Sequence, residues 1–552
     1  MRTYRPALYL LPVILFVASA MPAAFVGYDL GLALPTLFVL LGGGLLTAVL
    51  ALAGRKARLW EAAAGLFVLL CVLVAGYIIT QMGRLDYAEK VGGISSLAAL
   101  IARITPDLAR WQPNLNSVAT FIEAAPFIAV GLAFSTSKRK LRLLWLGAAA
   151  ILLGGLLFSA SRGAWLAVAA GALLWAACYW KPARWLAFGS AAGMAALILY
   201  VLARGDITTI GDIPVLSGVL GPLFIRPDRL EVYRNSLALI ADAPFTGIGL
   251  GGQFALVYSR YELLIPFLFL SYSHNLTLEI LLQQGLAGFI AWLGVNATVF
   301  TAAWNHRRHP QRLRLESTWV GIAVVLLHGV SDARQYDDLR CWLPFFLLLG
   351  VNIALLWDHR PEKPRPAWML PAGAALLGLG IYLALPGSLP AAALTNRGAL
   401  LQQRADLREG LSDTEKTALR EEAKGLFLEA LEKAPEQRSA NQRLGMIYLE
   451  QLDYPAAITV LEQALKADPD HPGTRKALGL AYAWDGRTEE ALPLLRDLPN
   501  IVDEMNYWGW HFDDLNNPRA GYHSLLVSLA LQPDQPEMQD YAEILKEKSE
   551  QP

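Results

Sequence analysis

Two short polar clusters at the edges of apolar runs contain the residue types that could act on an anion. Residues 161–163 are Ser-Arg-Gly, and residues 271–275 are Ser-Tyr-Ser-His-Asn. A guanidinium stays protonated at any relevant pH and suits phosphate oxygens, whereas an imidazole titrates near neutral pH and can accept a proton from a hydroxyl. Together they predict a reaction in which a base activates a hydroxyl beside a bound anion.

Arginines provide the candidate anion site. Arg162 lies where an apolar run begins, and a helix N-terminus with an adjacent arginine binds anions; Ser161 could support it. Arg226 and Arg229 stand three residues apart at the start of a predicted amphipathic helix, so both can lie on one face. The alternative for Arg162 is a side chain that extends to the lipid headgroups.

His274 and Glu123 are the candidate acid–base groups. His274 stands at the mouth of an apolar run, where Asn275 could orient a ring or a substrate, although a lone histidine at an interface is more often structural. Glu123 lies inside an apolar run, and an intramembrane acid is functional by default, with an ion pair to an arginine as the simpler account. A third polar stretch, residues 332–340, favours a solvated salt-bridge loop over a site.

Apolar runs must position these groups. Hydrophobic residues make up 55% of the 552 residues, and runs of about twenty cross a hydrocarbon core as helices. We predict an all-α polytopic membrane bundle with about eleven spans. They are residues 6–26, 30–53, 59–80, 117–136, 141–158, 163–180, 184–203, 275–303, 316–330, 341–357 and 367–386.

Basic residues in the turns set the predicted orientation. Basic clusters fall at every second turn, beginning at Arg2, Arg55, Lys138, Lys181, Arg307 and Arg360, which places these turns and the N-terminus in the cytoplasm. An odd number of spans then exports the C-terminus together with the Ser-Arg-Gly turn and residues 81–116 and 331–340. We predict a membrane domain over residues 1–390, with a large outward loop at 204–274, and a soluble helical domain over 391–545.

The C-terminal region repeats with a period of 34 residues. Gly445, Tyr448, Ala457 and Leu461 recur as Gly479, Tyr482, Ala491 and Leu495. This spacing resembles the tetratricopeptide repeat, in which small residues let paired helices pack closely. A degenerate unit is predicted from Tyr507 to Pro533. Such repeats predict a protein or peptide partner, or else a structural cap on the membrane domain.

Two further features are predicted to carry no chemistry. The glycine-rich stretch 247–252 lacks a preceding strand, which favours a tight re-entrant turn over nucleotide binding. Cys71, Cys178 and Cys341 lie in or beside apolar runs and predict neither a disulfide nor a metal site. We therefore expect no metal, no cofactor and no nucleic-acid partner.

Motifs between residues 100 and 350 resemble, in their order, the O-antigen ligase and polymerase superfamily. They are residues 112–117 (Gln-Pro-Asn-Leu-Asn-Ser), the Ser-Arg-Gly turn, Arg-Leu-Glu-Val-Tyr-Arg from Arg229, Ala-Pro-Phe-Thr-Gly-Ile-Gly from Ala243, and His274-Asn275 followed by Gln284-Gly285-Leu-Ala-Gly288. The first motif has Gln112 where the family has asparagine.

The resemblance implies a glycosyltransferase of the GT-C type in the bacterial inner membrane. Such enzymes move a glycan from an undecaprenyl-diphosphate carrier to a hydroxyl of a lipid or protein acceptor on the periplasmic or outer face, without metal or nucleotide. The family's diphosphate-binding arginines fall on Arg162 and Arg229, and its general base falls on His274. Arg226 is added from its spacing to Arg229.

Several alternatives stay open. Within the same family stand a polymerase that joins lipid-linked units and a protein O-oligosaccharyltransferase. A transporter or flippase for lipid-linked sugars would need paired inverted repeats or broken helices, and no convincing repeat relates the two halves. A membrane-anchored scaffold that uses only the repeats would leave the spans and the outward arginines unexplained.

Overall fold

The structure is a computed structural model that describes residues 9–53, 58–85, 92–108, 111–204, 227–305, 311–356 and 389–550. Over these residues the chain forms helices and no strand, which confirms the all-α prediction. It divides into two compact units. The first contains the described residues of Met1–Leu237, Thr246–Phe254 and Ser271–Ala384, and the second those of Ala238–Phe245, Ala255–Leu270 and Leu385–Pro552.

Apolar helices build the first unit. In chain order, the helices up to the last of this unit are α1 Leu11–Val26, α2 Leu30–Ala53, α3 Arg58–Gln81, α4 Gly92–Ile104, α5 Leu115–Ile122, α6 Ala125–Ser135, α7 Arg139–Phe158, α8 Arg162–Ala177, α9 Lys181–Arg204, α10 Pro227–Asp242, α11 Phe254–Tyr258, α12 Leu276–Asn305, α13 Arg312–Gly329, α14 Arg334–Asp337 and α15 Trp342–Leu355. The division between the units falls within α10 and within α11.

The described helices support a multispanning membrane protein but not a count of eleven spans. Six stretches are long and apolar enough to cross a membrane: Leu30–Ala53, Trp60–Arg84, Leu115–Ser135, Arg139–Phe158, Lys181–Val201 and Leu276–Ala303. Helices α1 and α8 are apolar but shorter. The predicted span at 367–386 lies outside the described residues.

Small residues bring the helices of this unit together. A Cβ added to Gly43 of α2 would lie 2.2 Å from the ring of Phe346 on α15, and one added to Gly155 of α7 would lie 2.5 Å from Ala75 on α3. Helices in lipid gain little from hydrophobic burial against one another, so their association depends on such close packing. Glycine is therefore required where these backbones approach.

The outer surface of the first unit is apolar. In the 18-residue apolar stretch of α9 that could cross a membrane, no residue is buried. The side chains of Trp185 and Phe188 are 74% and 68% exposed. In water such a face would be a large unpartnered patch, whereas in a bilayer the lipid tails cover it. Helix α9 is accordingly a lipid-facing element of the predicted membrane bundle.

Paired helices build the second unit. They are α16 Leu389–Leu407, α17 Asp413–Lys433, α18 Arg438–Glu450, α19 Tyr454–Ala467, α20 Pro472–Asp485, α21 Thr488–Leu495, α22 Ile501–Asp514, α23 Pro518–Leu531 and α24 Pro536–Glu550. Helices α18 and α20 begin 34 residues apart, as do α19 and α21, so the sequence period is the period of the helix pairs.

One contact recurs inside three of these pairs. A Cβ added to the glycine of the first helix would meet the leucine sixteen residues later in the second helix, at 2.5 Å for Gly445 and Leu461, 2.6 Å for Gly479 and Leu495, and 2.6 Å for Gly509 and Leu525. The third instance lies in the predicted degenerate unit, which therefore packs as the regular ones do. Each pair closes because a leucine occupies the space that a glycine leaves.

Candidate active site

The Ser-Arg-Gly turn joins α7 to α8. Ala160 has a φ of +49°, Ser161 is buried at the N-cap position, and Arg162 is the first residue of α8, with an exposed side chain. A non-glycine residue with positive φ is uncommon and is seen at turns that the surrounding structure holds in place. Arg162 thus lies at a helix N-terminus, as the sequence indicates.

His274 lies in a turn with the same unusual backbone. Its φ is +59°, its ring lies with the centroid 4.3 Å from that of Tyr272, and its side chain is 17% exposed. The Tyr233 hydroxyl donates to the His274 carbonyl at 3.3 Å. Asn275, the candidate for orienting a ring or a substrate, caps α12: its Oδ1 accepts from the backbone N–H of Thr277 at 2.9 Å. Its amide nitrogen donates to the carbonyl of Val330 at 2.9 Å.

Asp332 is the hub of the site. Its Oδ1 lies 3.7 Å from Nδ1 of His274 and accepts a hydrogen bond from the Tyr272 hydroxyl at 2.9 Å. Nε of Arg334 lies 3.3 Å from the same oxygen, and Nδ2 of Asn116 donates to Oδ2 at 3.0 Å. Residues 332–340 form salt bridges as expected, but this part of the stretch is not solvated, because Asp332 is only 3% exposed and Arg334 only 8%.

The Asp332 carboxylate is held in its charged form. Burial by itself would raise its pKa, but His274 and the guanidinium of Arg334 outweigh burial and lower the pKa below its ordinary value. Burial, followed by the charge of Asp332, raises the pKa of the Tyr272 phenol far above its ordinary value, so Tyr272 remains a hydrogen-bond donor. Next to His274 the site thus keeps a fixed negative charge.

The segment that follows α13 connects the arginines to this hub. Nη1 of Arg229, near the start of α10, donates to the Ser331 carbonyl at 2.5 Å. The Ser331 hydroxyl oxygen would lie 2.8 Å from a Cβ added to Gly163, so it adjoins the Ser-Arg-Gly turn. Ser331 therefore contacts both arginine-bearing elements, and the next residue is Asp332. Arg226 lies outside the described residues.

Glu123 is fully buried and pairs with a histidine. Its Oε2 lies 2.7 Å from Nδ1 of His328, and the Thr120 hydroxyl oxygen lies 3.3 Å from the same nitrogen. The simpler account of an arginine partner is therefore wrong. Nε2 of His328 would lie 3.1 Å from a Cβ on Gly163, so this buried pair lies directly beneath the Ser-Arg-Gly turn.

His328 and Asp332 were the residues that sequence reasoning missed as site components. His328 sits within an apolar run and belongs to no motif, while Asp332 sits among several charges that favour a surface loop. One signal in the sequence could have identified His328: a histidine inside an apolar run is a suitable partner for the intramembrane acid Glu123.

The glycine-rich stretch forms a tight turn whose backbone groups bond within the protein. The N–H of Ile248 donates to the Leu282 carbonyl at 2.6 Å, and the N–H of Gly251 donates to Oε1 of Gln283 at 2.7 Å. A Cβ on Gly247 would lie 2.3 Å from the Leu282 carbonyl oxygen. Glycine is required there by close approach to α12, as expected for a turn rather than for a nucleotide loop. Within the described residues, no group of three or more His, Cys, Asp or Glu side chains could hold a metal ion.

Comparison with known families adds two findings. Residues 147–293 match the O-antigen ligase family, and this range includes Arg162, Arg229 and His274. Residues 419–472 and 448–508 match two tetratricopeptide-repeat families. No curated protein matches the chain.

Proposed function

Because this chain carries an O-antigen ligase domain followed by tetratricopeptide repeats, we propose that it transfers a glycan from undecaprenyl diphosphate to a hydroxyl acceptor on the outward face of the membrane. The domain indicates a membrane glycan-transfer function. The carrier, the class of acceptor and the face belong to our proposal.

The observation that carries the proposal is the base–orienter arrangement of His274 and Asp332 next to cationic elements. A carboxylate facing Nδ1 favours the proton on that nitrogen, which leaves Nε2 able to accept a proton. Arg229 reaches the carbonyl of the residue before Asp332, and the Ser-Arg-Gly turn adjoins the same residue. One short segment thus links a base with two arginine-bearing elements.

These groups supply what such a transfer requires. The acceptor oxygen forms a bond to the anomeric carbon of the glycan as its proton passes to Nε2 of His274. The bond from that carbon to the phosphate oxygen breaks, and its electron pair leaves with the lipid diphosphate. Arg162 and Arg229 stabilise the charge that develops on this leaving group, because guanidinium groups stay charged and hydrogen-bond to phosphate oxygens. In this mechanism the arginines act in place of a metal ion.

Two related activities would use the same site. A polymerase would extend carrier-linked chains, whereas a ligase caps an acceptor that carries no isoprenoid. A protein O-oligosaccharyltransferase would take a hydroxyl of a protein. A flippase would move the intact carrier and break no bond.

The test is transfer from purified undecaprenyl-diphosphate oligosaccharide by the full chain in detergent, without added metal or nucleotide. Lipid and protein acceptors are offered separately. We expect glycan on one of them, and its loss in His274→Asn and Arg162→Ala. His274→Asn suits this test because asparagine tolerates positive φ, so the turn is kept while the base is removed. Intact carrier in every reaction would contradict the proposal.

A matched control is Arg340→Ala. Arg340 also lies in an outward-predicted turn, but it pairs with Asp338 at 2.8 Å and its side chain is 65% exposed. It should transfer glycan at the wild-type rate. Equal losses in Arg340→Ala and Arg162→Ala would show that any lost surface cation suffices, and the assigned role of Arg162 would fall.

A further inference from the structure

A short segment of the chain lies on the helical repeats of the second unit. Residues Ser259–Leu263 form a π-type turn, and Leu264 follows with a φ of +53°. This segment contacts α16, α18 and α20, which are the first helices of three successive pairs. We call the surface formed by these helices the first-helix face.

Three consecutive side chains of the segment each have a partner on this face. Arg260 pairs with Glu450. The Tyr261 hydroxyl donates to Oδ2 of Asp406 at 2.8 Å, and the guanidinium of Arg443 lies 3.5 Å from the centre of the Tyr261 ring. The sequence Arg-Tyr-Glu is thus recognised by charge, by hydrogen bonding and by stacking.

Glu262 completes this set. Its Oε2 lies 3.0 Å from Nε2 of His471, and a Cβ on Gly473 would lie 2.8 Å from the Glu262 carbonyl oxygen. Backbone atoms of the segment are bound as well. Nε2 of Gln442 donates to the Tyr261 carbonyl at 3.0 Å, and Nζ of Lys476 donates to the carbonyls of Leu263 and Leu264 at 3.3 Å each.

The end of α10 is a second anchor on the same face. Arg443 donates through Nε to Oδ2 of Asp242 at 2.8 Å, and Nη2 of Arg438 donates to Oδ1 at 3.1 Å. Arg438 also donates to the Ala238 carbonyl at 2.9 Å. Cations at a helix C-terminus are favourable because they meet the free carbonyls and the negative end of the helix dipole. Arg443 therefore serves both anchors.

These contacts are buried as in a protein interior. Tyr261 and Glu262 are 0% and 1% exposed, and Arg443 and His471 are each 1% exposed. Removing one member of a buried charge pair leaves the other uncompensated, which is strongly destabilising. These four charged or polar side chains are shielded from water and contact one another across the face. The segment therefore fits this face as a bound ligand would.

We propose that the first-helix face of the repeats is a receptor for two stretches of this chain, residues 238–245 and 255–264, and that it holds the chain on both sides of the glycine-rich turn. One held side is the end of α10, whose other end carries Arg229. The other side continues through residues 265–270 to the turn that contains His274. The occupant of this face is then an internal segment, and Tyr261 and Glu262 are positioning residues.

A peptide-binding experiment on the full chain in detergent tests the occupancy. The probe is a fluorescent synthetic peptide of residues 255–268. Wild type should not bind it, because its own segment fills the face. A variant with Tyr261→Ala and Glu262→Ala releases that segment and should bind the peptide saturably. Binding to wild type as strong as to the variant, or no binding to the variant, would overturn the proposal.

Trypsin offers a second measurement that needs no peptide. Cleavage after Arg260 should be slow in wild type and at least about tenfold faster in the released variant, since cleavage follows the population of the open form. Tyr261→Phe keeps the ring over Arg443 but loses the bond to Asp406, so its cleavage rate should lie between those of wild type and the released variant. The control is Arg487→Ala, because Arg487 pairs with Glu490 within the repeats and touches no part of the segment. Equal cleavage in wild type and the released variant would also refute the proposal that the first-helix face holds this segment.

The positioning role needs a third readout, which rests on the proposed transferase. In the released variant we expect kcat for glycan transfer to fall about tenfold with little change in KM for the donor, because misplacing a catalytic group slows the chemical step. Tyr261→Phe keeps the ring contact and should lose less of the kcat than the released variant does. Resistance of Arg260 to trypsin and binding of the peptide do not depend on glycan transfer. A failed transfer assay would therefore count against the proposed function alone. Unchanged kcat in a variant with a released segment would refute positioning.

Discussion

At the scale of single residues, the candidate site combines unusual backbone with buried charge. Ala160 and His274 both have positive φ, and each lies in a turn that presents a predicted functional side chain. Arg162 and His274 could be predicted because each interrupts or borders an apolar run, where a charged or titratable residue is costly. Asp332 could not, because its importance comes from burial and from partners distant in the sequence, such as Asn116.

Asp332→Asn is expected to reduce kcat for transfer by about a hundredfold while changing donor KM much less. The amide keeps the shape of the carboxylate but no longer fixes the protonated nitrogen or offsets the charge on the imidazolium, as with the carboxylate of a catalytic triad. Steady-state kinetics of purified variants measure this. Asp338→Asn is the control, since Asp338 pairs with Arg340 and caps a short turn. Wild-type kcat in Asp332→Asn would remove the orienting role.

The lowered pKa of Asp332 also predicts how its contribution to folding stability depends on pH. A carboxyl group whose pKa is lower when folded stabilises the protein above its unfolded pKa of about 3.9, and this contribution is lost only as pH falls through the folded value. The difference in melting temperature between wild type and Asp332→Asn should thus shrink as the pH is lowered below about 4. A difference that does not change below about pH 4 would mean that folding does not lower the pKa of Asp332.

The buried Glu123–His328 pair gives a stability prediction. Glu123→Leu leaves His328 without its partner and should cost about 3 kcal/mol, whereas the double variant with His328→Leu should regain most of that loss. The Thr120 hydroxyl keeps its bond to the Asn116 carbonyl at 2.9 Å in both variants, so no further polar group is orphaned. Thermal unfolding in detergent decides between them. A double variant as unstable as the single one would show that the imidazole has an independent structural role.

At the scale of elements, apolar runs of about twenty residues were enough to predict most helices of the first unit. Ten of the eleven predicted spans overlap described helices, although only six described stretches are long and apolar enough to cross a membrane, and the eleventh lies outside the described residues. The run at 117–136 contains two helices instead of one, α5 and α6, which meet beside Glu123. Hydropathy does not indicate such a break, because the residues on both sides are apolar and read as one continuous run.

Gly163→Ala tests the packing of the Ser-Arg-Gly turn against α13. Alanine would normally favour a helix over glycine by about 1 kcal/mol. Here the added Cβ would lie 3.0 Å from Cδ2 of His328, whose ring is buried and held by Glu123, so we expect a net loss of about 1–3 kcal/mol. Thermal unfolding measures the change.

Gly147→Ala is the matched control for that substitution. Gly147 lies within α7, and nothing stands within 4 Å of its would-be Cβ, so the change should be neutral or slightly stabilising. If Gly163→Ala also proved neutral, the turn would have room to move and the contact with His328 would not fix its position.

At the scale of the whole molecule, the repeats were predictable and their occupant was not. The 34-residue period follows from residue types that the packing of each pair demands, such as Gly479 against Leu495. No sequence period predicts which segment the repeats bind, because the contacts join distant residues: Arg260 and Glu450 are 190 positions apart. Membrane orientation remains a prediction from basic residues alone.

Reporter fusions test that orientation. Alkaline phosphatase needs disulfides that form outside a reducing cytoplasm. Joined after Pro552 it should be active, and joined after Arg308 it should be inactive, with fluorescent-protein fusions as the reciprocal control. An inactive fusion at the C-terminus would mean an even number of spans, and the repeats would then face the cytoplasm.

The contacts of Tyr261 and Glu262 also bear on how the repeats unfold. Linear helical arrays gain stability mainly from neighbouring units, so they can fray from an end. A segment that binds α16, α18 and α20 at once joins these units into one cooperative block. During synthesis, residues 238–245 and 255–264 are made before any repeat helix. The repeat helices can therefore pack around a segment that is already present. The first pairs of the array should melt together, and α22–α24 should melt ahead of them.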